Sequence, residues 1–312
     1  MELKADYELH RERRAAILKD HPEITKLYGH DTRMAYYAAG IVASMLTLAW
    51  VCRNSFGLAA VLGFTVGPYL DAAVLVLIHE ATHFLVFKSP SANRLLSIFT
   101  NMVMVAPLSE VFKQHHGAHH MNLGNPEKDV DVPYEVEIAL VGRSAPAKML
   151  WLALNMIILP ARSLTKLPVY TDKFLILNWV VCLGFGATVA YLSLPSFMFL
   201  ILSLLNSQGL HPANTRQVQR HVFNGDEKMR ARTAGRPRTY SYYGAANLWS
   251  LNVGYHLEHH DFSRVPGTRL PELRRIAGEK WYPSGAAHCH RGLGELLNFV
   301  FNRNITLADF AR

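Results

Sequence analysis

Residues 174–215 read FLILNWVVCLGFGATVAYLSLPSFMFLILSLLNSQGLHPANT, 42 positions without one Asp, Glu, Lys or Arg. A helix crossing the hydrocarbon core of a bilayer needs about 20 apolar residues. The stretch is long enough for two crossings, and Ser193-Leu194-Pro195-Ser196 near its middle reads as the tight turn between them. One long buried helix of a soluble protein is the weaker reading at this length.

Working toward the N-terminus, Met34 to Cys52 is a charge-free window of 19 residues between Arg33 and Arg53. A further apolar stretch runs from Phe56 to Ile78, interrupted by Asp71, which would be costly facing lipid. Leu95 to Ser109 (15 residues) and Met149 to Ala161 (13 residues) are short for a crossing and read as re-entrant or interfacial segments. The expectation is an all-α, multi-pass helical membrane protein with about four spans, two in 34–78 and two in 174–212.

Four spans put both termini on one side. Nearly all Lys and Arg lie in the arm 1–33, in Lys88 to Lys173 and in 213–312, while Arg53 to Ser55 carries one charge and Leu192 to Ser196 none. By the positive-inside rule those three basic regions are cytosolic. The net charge of +8 is then mostly topology. A nucleic-acid partner is not expected, because no basic stripe interleaved with aromatics is present. With 50% apolar and 18% charged residues, the chain does not have the composition of a disordered protein. Cys52, Cys182 and Cys289 have no close spacing, which excludes a disulfide scaffold and a cysteine-based zinc site. Met1 to Arg33 is polar and does not read as a signal peptide, and Glu2 stands where N-myristoylation needs glycine. Asn224 to Arg238 is the most loop-like segment.

The chemistry sits in three histidine clusters: His79-Glu80-Ala81-Thr82-His83, His116-Gly117-Ala118-His119-His120 (preceded by His115), and His256-Leu257-Glu258-His259-His260. With 16 histidines in 312 residues, two HxxHH patterns are not expected by chance. Positions i and i+3 or i+4 share a helix face, so each cluster aims its imidazoles at one point. Imidazole suits iron, zinc and copper. Eight clustered imidazoles exceed the capacity of one metal, which favours two, and all three clusters fall on the same expected side of the membrane. A ninth ligand is sought at His221, with His211 as its competitor. Asn252, Glu80, Glu258, Asp261, Asp129 and Asp131 are candidates for supporting the ligands, since metal-bound histidines usually donate their other N–H to a carboxylate. His10, His21, His30, His288 and His290 are expected at the surface. A rival reading takes His79-Glu80-Ala81-Thr82-His83 as the HExxH of an intramembrane zinc protease, with Glu80 as general base, but it leaves six histidines unexplained. A non-catalytic metal- or lipid-binding protein is a second rival.

HxxxH, HxxHH and HxxHH around four spans resemble the membrane fatty-acid desaturase and hydroxylase superfamily. The stretches Tyr240 to Gly244, Asn252 to Phe262 (NVGYHLEHHDF), Val265-Pro266-Gly267 and Leu270 to Ile276 look like the sphingolipid delta-4 desaturases. So do Ile78 to His83, Asp129 to Pro133, Gly209 to Pro212 and Arg13 to Ile24. The resemblance covers nearly the whole chain. Departures are Arg220, where that family usually carries an acidic residue, Arg216, where it often has a histidine, and a longer 224–238 loop. The resemblance implies a single desaturase domain, 1–312, with a cytosolic histidine-ligated cap holding two non-haem iron ions. It also implies O2 as co-substrate, external electrons, and a dihydroceramide substrate that gains a trans C4–C5 double bond. Some members hydroxylate C4 instead, and the wider superfamily acts on fatty acyl chains and carotenoids. The only His-Pro pairs are His21-Pro22 and His211-Pro212, so no built-in haem motif is found. A separate cytochrome b5 or ferredoxin is then the expected donor. The expected location is the endoplasmic reticulum membrane in a eukaryote or the inner membrane in a bacterium.

Overall fold

The computed structural model describes residues 6–215, 220–222, 237–285, 289–290, 292 and 294–310. Positions 224–236 of the loop-like segment, Arg216 and His288 lie outside the described residues. The described residues are mostly helical. Two short parallel strands, β1 (Ser241–Tyr242) and β2 (Cys289–His290), pair Ser241 with Cys289.

Among the described residues, two helices are long and apolar enough to cross a membrane alone, α2 (Arg33–Val51) and α10 (Lys173–Leu192). The expected second span is instead two helices, α3 (Phe56–Thr65) and α4 (Gly67–Thr82), meeting at 53°. The break falls at Gly67-Pro68, where proline at the start of α4 removes a backbone donor. The expected fourth span is α11 (Leu194–Ser207), only 14 residues. At about 1.5 Å per residue it reaches roughly 21 Å, less than the ~30 Å hydrocarbon core. The turn before it is tighter than expected: α10 ends at Leu192, and Ser193 alone separates the helices, its hydroxyl accepting from Ser196 N–H.

α11 starts beside the ends of α2 and α10. Ser196 Oγ donates to the Ala49 carbonyl at 2.6 Å, and Ser193 Oγ to that of Arg53 at 2.8 Å. It then runs along α3 and α4 at close range. A Cβ on Gly67 would lie 1.8 Å from Ser203 Oγ, and one on Gly63 would lie 2.7 Å from Leu202 Cβ, so only glycine permits this approach. Val42, Met45, Val74, Ile78, Phe199 and Leu200 form the core between these helices.

The 95–109 window becomes part of a sharp reversal. α5 (Pro90–Asn101), extended by a short 3-10 turn to Met104, meets α6 (Ser109–Asn122) at 117°. Asn101 holds the corner: its Nδ2 donates to the Ala106 carbonyl, and its Oδ1 accepts from the Leu108 and Ser109 amides and from Asn178 Nδ2. This corner sends α6, with the second histidine cluster, back over the end of α4.

After α7 (Glu135–Val141), the 149–161 window folds as α8 (Ala145–Ala153) and α9 (Asn155–Lys166), bent by 70°. Here the polar residues face inward. Lys148, Asn155, Arg162 and Ser163 are buried, while Leu150, Ile157 and Leu164 are exposed. An apolar outer face over a polar inner one is the pattern of a helix lying against lipid. Arg162 Nη1 donates to the Val130 and Asp131 carbonyls, fixing the loop that follows α6. α12 (His256–Asp261) and α13 (Leu270–Trp281) pack with α1 (Asp6–Asp20) around Ile17, Leu257, Phe262, Leu273 and Tyr282. α14 (Gly294–Phe301) packs on α8 around Trp151, Phe299 and Phe310.

Candidate metal centre

The three clusters lie at the end of α4 (His79, with His83 as its cap), on α6 and on α12, and His221 joins them from a fourth segment. Their ring nitrogens form two groups. His79, His83, His116, His120 and His259 bring a nitrogen each to within 4.8 Å of one another. His119, His221 and His260 do the same. His256 adjoins the second group, with Nε2 3.0 Å from His221 Nε2 and 3.1 Å from His260 Nε2. The groups touch through the stacked rings of His120 and His260, 4.2 Å apart. All of these imidazoles but His83 and His120 are buried below a tenth exposure. His211 stands apart, its ring against Tyr69 and its Nδ1 accepting from the Ala213 amide.

The nitrogens meet as metal ligands would. His116 Nε2 lies 2.9 Å from His83 Nε2 and 3.0 Å from His120 Nε2, which lies 3.2 Å from His259 Nε2. A neutral imidazole nitrogen carries either one lone pair or one hydrogen, so it can serve only one of two such neighbours. A cation at the centre satisfies them together. Both ring nitrogens of His79 lack a hydrogen-bond partner. Burial, reinforced by neighbouring charge, pushes the pKa of His221, His256, His259 and His260 well below the usual histidine value, which keeps their lone pairs available. The residues therefore fit a metal site of the nitrogen-ligand kind.

The expected carboxylate support takes a different form from the one anticipated. Among the described residues, Asp129 hydrogen-bonds a clustered histidine, its Oδ1 2.9 Å from His119 Nδ1, and Glu80 Oε1 lies 3.7 Å from His79 Nδ1. Although burial opposes its ionisation, the hydrogen bonds with His119 and with the Gly124 and Asp131 amides keep the Asp129 carboxyl below its usual range. Asp131 lies 3.6 Å from the same His119 nitrogen. Glu80 accepts the Gly267 amide at 2.9 Å and so pins the loop before α13. That use of Glu80, beside nine gathered imidazoles, leaves the zinc-protease reading without support. Glu258 accepts from the Ser241 and Tyr243 hydroxyls, both at 2.6 Å, and burial raises its pKa to about 7. Asn252 lies beside His79, His256 and His259. It adopts φ 66° and donates to the Gly267 carbonyl at 3.2 Å.

Asp261 supports α12 from below through a residue expected at the surface. His10 is buried, with Nδ1 2.7 Å from Asp261 Oδ1, Nε2 3.0 Å from Thr239 Oγ1, and its ring 5.2 Å from that of His260. Arg13 pairs with Asp261 through Nε and Nη2, and the Tyr282 hydroxyl donates to it at 3.1 Å. Against the burial that would raise it, the Arg13 charge keeps the Asp261 carboxyl below its usual range. His10 and Arg13 share a face of α1, three residues apart, with Ile17 one turn further on. That spacing is the sequence signal for a docked helix. His30 is exposed and His21 half-buried, as expected of surface residues. Replacing Arg13 by alanine removes the fork that holds Asp261. Supporting residues of this kind are typically worth 10- to 100-fold in metal affinity. A loss of about tenfold is expected, read by competition with a chromogenic chelator.

A cavity of about 390 Å³ opens against the site. His79, His116, His119 and His256 form part of its wall, so members of both groups face it. Leu164 of α9 and Trp179 of α10 also line it and are 68% and 49% exposed, so the cavity reaches the outer apolar surface between those helices.

A mostly helical protein with a buried multi-histidine cluster beside a largely apolar cavity has the parts of a histidine-rich metal protein. The chain belongs to the fatty acid desaturase family, which matches residues 55–292; residues 5–33 match the family described as sphingolipid delta4-desaturase. The protein is thus an oxidoreductase, and the second match falls on α1 and the turn after it. Similar curated proteins include a Drosophila melanogaster protein named sphingolipid delta(4)-desaturase DES1, 34% identical, with 87% of this chain and 83% of the relative covered. A Candida albicans sphingolipid delta(4)-desaturase is 32% identical over 95% and 83% of the two chains. A Rattus norvegicus protein named sphingolipid delta(4)-desaturase/C4-monooxygenase DES2 is 32% identical over 95% and 89%.

Proposed function

We propose that the protein is a sphingolipid delta(4)-desaturase that removes hydrogens from C4 and C5 of a dihydroceramide to give the trans double bond of ceramide. The observation that carries this reading is the pair of imidazole groups, five and four, walled onto one apolar cavity. The names of similar proteins supply the substrate class.

His79, His83, His116, His120 and His259 would hold one iron, and His119, His221, His256 and His260 the other. When bound, iron supplies the activation of O2 that no side chain offers. Overall, one O2, two external electrons and two protons are consumed with the two substrate hydrogens, leaving the alkene and two waters. The chain's own residues do the positioning. Asp129 orients His119, Asp261 and Glu258 fix α12 from both sides, and Glu80 ties the first cluster to the loop at Gly267. The cavity wall excludes bulk water and holds the chain against the ligand edge. Two electrons would come from a separate cytochrome b5 or ferredoxin, drawn by the basic cytosolic face. In this reading α2, the bent pair α3–α4, α10 and the short α11 make the four-span body. The metal centre then faces the cytosol, at the endoplasmic reticulum in a eukaryote or the inner membrane in a bacterium. The chain acts as one desaturase domain.

The test is a sphingolipid mass spectrum from cells lacking their own delta-4 desaturase and expressing this chain. A product lighter than dihydroceramide by two hydrogens is expected. A product heavier by one oxygen would instead identify a C4-hydroxylase, the second activity in the rat relative's name. Neither product from an iron-loaded, reduced enzyme would refute the sphingolipid assignment.

A further inference from the structure

Leu164 of α9 and Trp179 of α10 belong to two surfaces at once. Both line the cavity that His79, His116, His119 and His256 also line, and both are open to the outside, at 68% and 49% exposure. The outer surface around them is apolar: Ile157 on α9 and Ile176, Val180 and Leu183 on α10 are exposed. The helix on one side of this opening is held at both ends. At its start, Asn155 Nδ2 donates to the Gln208 carbonyl at 3.3 Å. At its end, Lys166 Nζ donates to the Asp129 and Val132 carbonyls at 2.9 and 2.6 Å. Between these anchors Met156, Leu159, Pro160 and Ser163 line the cavity, so α9 runs along it as a wall. Asp129 also holds His119, which joins that wall to the metal centre.

Charged residues give the depth of the opening. Arg94 pairs with Glu110 at the start of α6 and with Asp172 just before α10, and Lys173 begins that helix. Such groups stay at the level of water and lipid headgroups. Trp179 lies six positions beyond Lys173. At about 1.5 Å per residue that is roughly 9 Å, short of the ~15 Å from the edge to the middle of the hydrocarbon core. The opening is therefore shallow, one to two helical turns below the charged level.

We propose that the opening between α9 and α10 is a lateral portal, with Leu164 and Trp179 as its edges, through which a membrane lipid slides its hydrocarbon chain from the bilayer into the cavity. The inference rests on the proposed action on a membrane lipid and adds the route by which that lipid arrives. A sideways route spares the chain any passage through water, a cost that grows with every methylene exposed. The apolar outer faces of α9 and α10 keep the path in contact with lipid on both sides. The depth suits the chemistry as well. C4 and C5 of a sphingoid base lie next to its polar end, so a chain entering just below the charged level presents those carbons while its headgroup stays at the interface.

The experiment compares Leu164→Cys with Ile157→Cys, a position on the same helix that is equally exposed, at 68%, but outside the cavity wall. Cys52, Cys182 and Cys289 are buried, so a thiol reagent meets the introduced cysteine first, and treated wild type serves as the control. Each full-length protein, in phosphatidylcholine vesicles carrying dihydroceramide, is modified with a bulky benzyl methanethiosulfonate. Modified Leu164→Cys is expected to lose about tenfold in kcat/KM relative to the same variant unmodified, and modified Ile157→Cys less than about twofold. Reducing the mixed disulfide should restore the rate, with iron per chain constant throughout. A second readout needs no turnover. A nitroxide attached at Leu164→Cys, in unreduced protein, should be relaxed more by O2, which concentrates in the bilayer, than by a water-soluble nickel chelate. Full turnover by fully modified Leu164→Cys, equal losses at both positions, or a nitroxide more open to the nickel chelate would overturn the portal. A wild type that leaves dihydroceramide untouched and desaturates another membrane lipid would instead refute the sphingolipid assignment, and the portal is then read with that lipid.

Discussion

Replacing His116 by alanine is expected to abolish turnover, with a loss of at least about 100-fold, and to lower the iron bound per chain. The reason is geometric. His116 Nε2 sits between His83 Nε2 at 2.9 Å and His120 Nε2 at 3.0 Å, at the centre of the five-imidazole group. Residues that merely orient a metal ligand typically cost 10- to 100-fold when removed, and loss of a ligand should exceed that. Its ring also stacks on Phe112 at 4.8 Å, so the substitution opens a small void under α6 without breaking its helical bonds. Iron analysis of the purified variant, beside a product assay and a circular dichroism spectrum, separates lost metal from lost fold. Full activity with unchanged iron would remove His116 from the centre.

The second large effect comes from the opposite kind of change. Ala72 of α4 lines the cavity two turns before His79. A tryptophan there would fill the space a lipid chain needs and leave every histidine in place. Turnover is expected to fall by about 100-fold, since displacing a substrate by even an ångström can cost that much, while iron per chain stays at the wild-type value. The pairing of the two variants is diagnostic: one loses metal and activity, the other activity alone. If Ala72→Trp turned over normally, the chain would have to reach the metal by another route.

Much of this arrangement was legible in the sequence because hydropathy and helical spacing are local properties. The charge-free run 174–215 announces apolar helices whatever they pack against, but each HxxHH divides between the two groups instead of aiming at one point: His119 parts from His116 and His120, and His259 from His256 and His260. What was not legible depends on distant partners. The break at Gly67-Pro68 and the contact that Ser203 makes there require knowing that α11 runs beside α4. The window 95–109 is short for a crossing, but its corner is set by Asn101 reaching Asn178, far along the chain. His10 looked like a surface residue in a charged arm, because its partners Asp261 and Thr239 lie more than two hundred positions away. The carboxylates Glu80, Glu258 and Asp261 were singled out by their nearness to histidines in sequence. Adjacent residues on a helix point about 100° apart, so nearness in sequence sends them outward, to Gly267, to Ser241 with Tyr243, and to His10 with Arg13. Asn155 did leave a trace, as the one amide inside an otherwise apolar run.

In the proposed metal centre nine histidines hold two irons, five imidazoles to one and four to the other. The most direct test is metal analysis of the purified full-length protein, with iron and zinc counted per chain. Two irons per chain are expected, with the His221→Ala variant losing iron from the four-imidazole site alone. A single metal per chain, or zinc in place of iron in an active preparation, would contradict it.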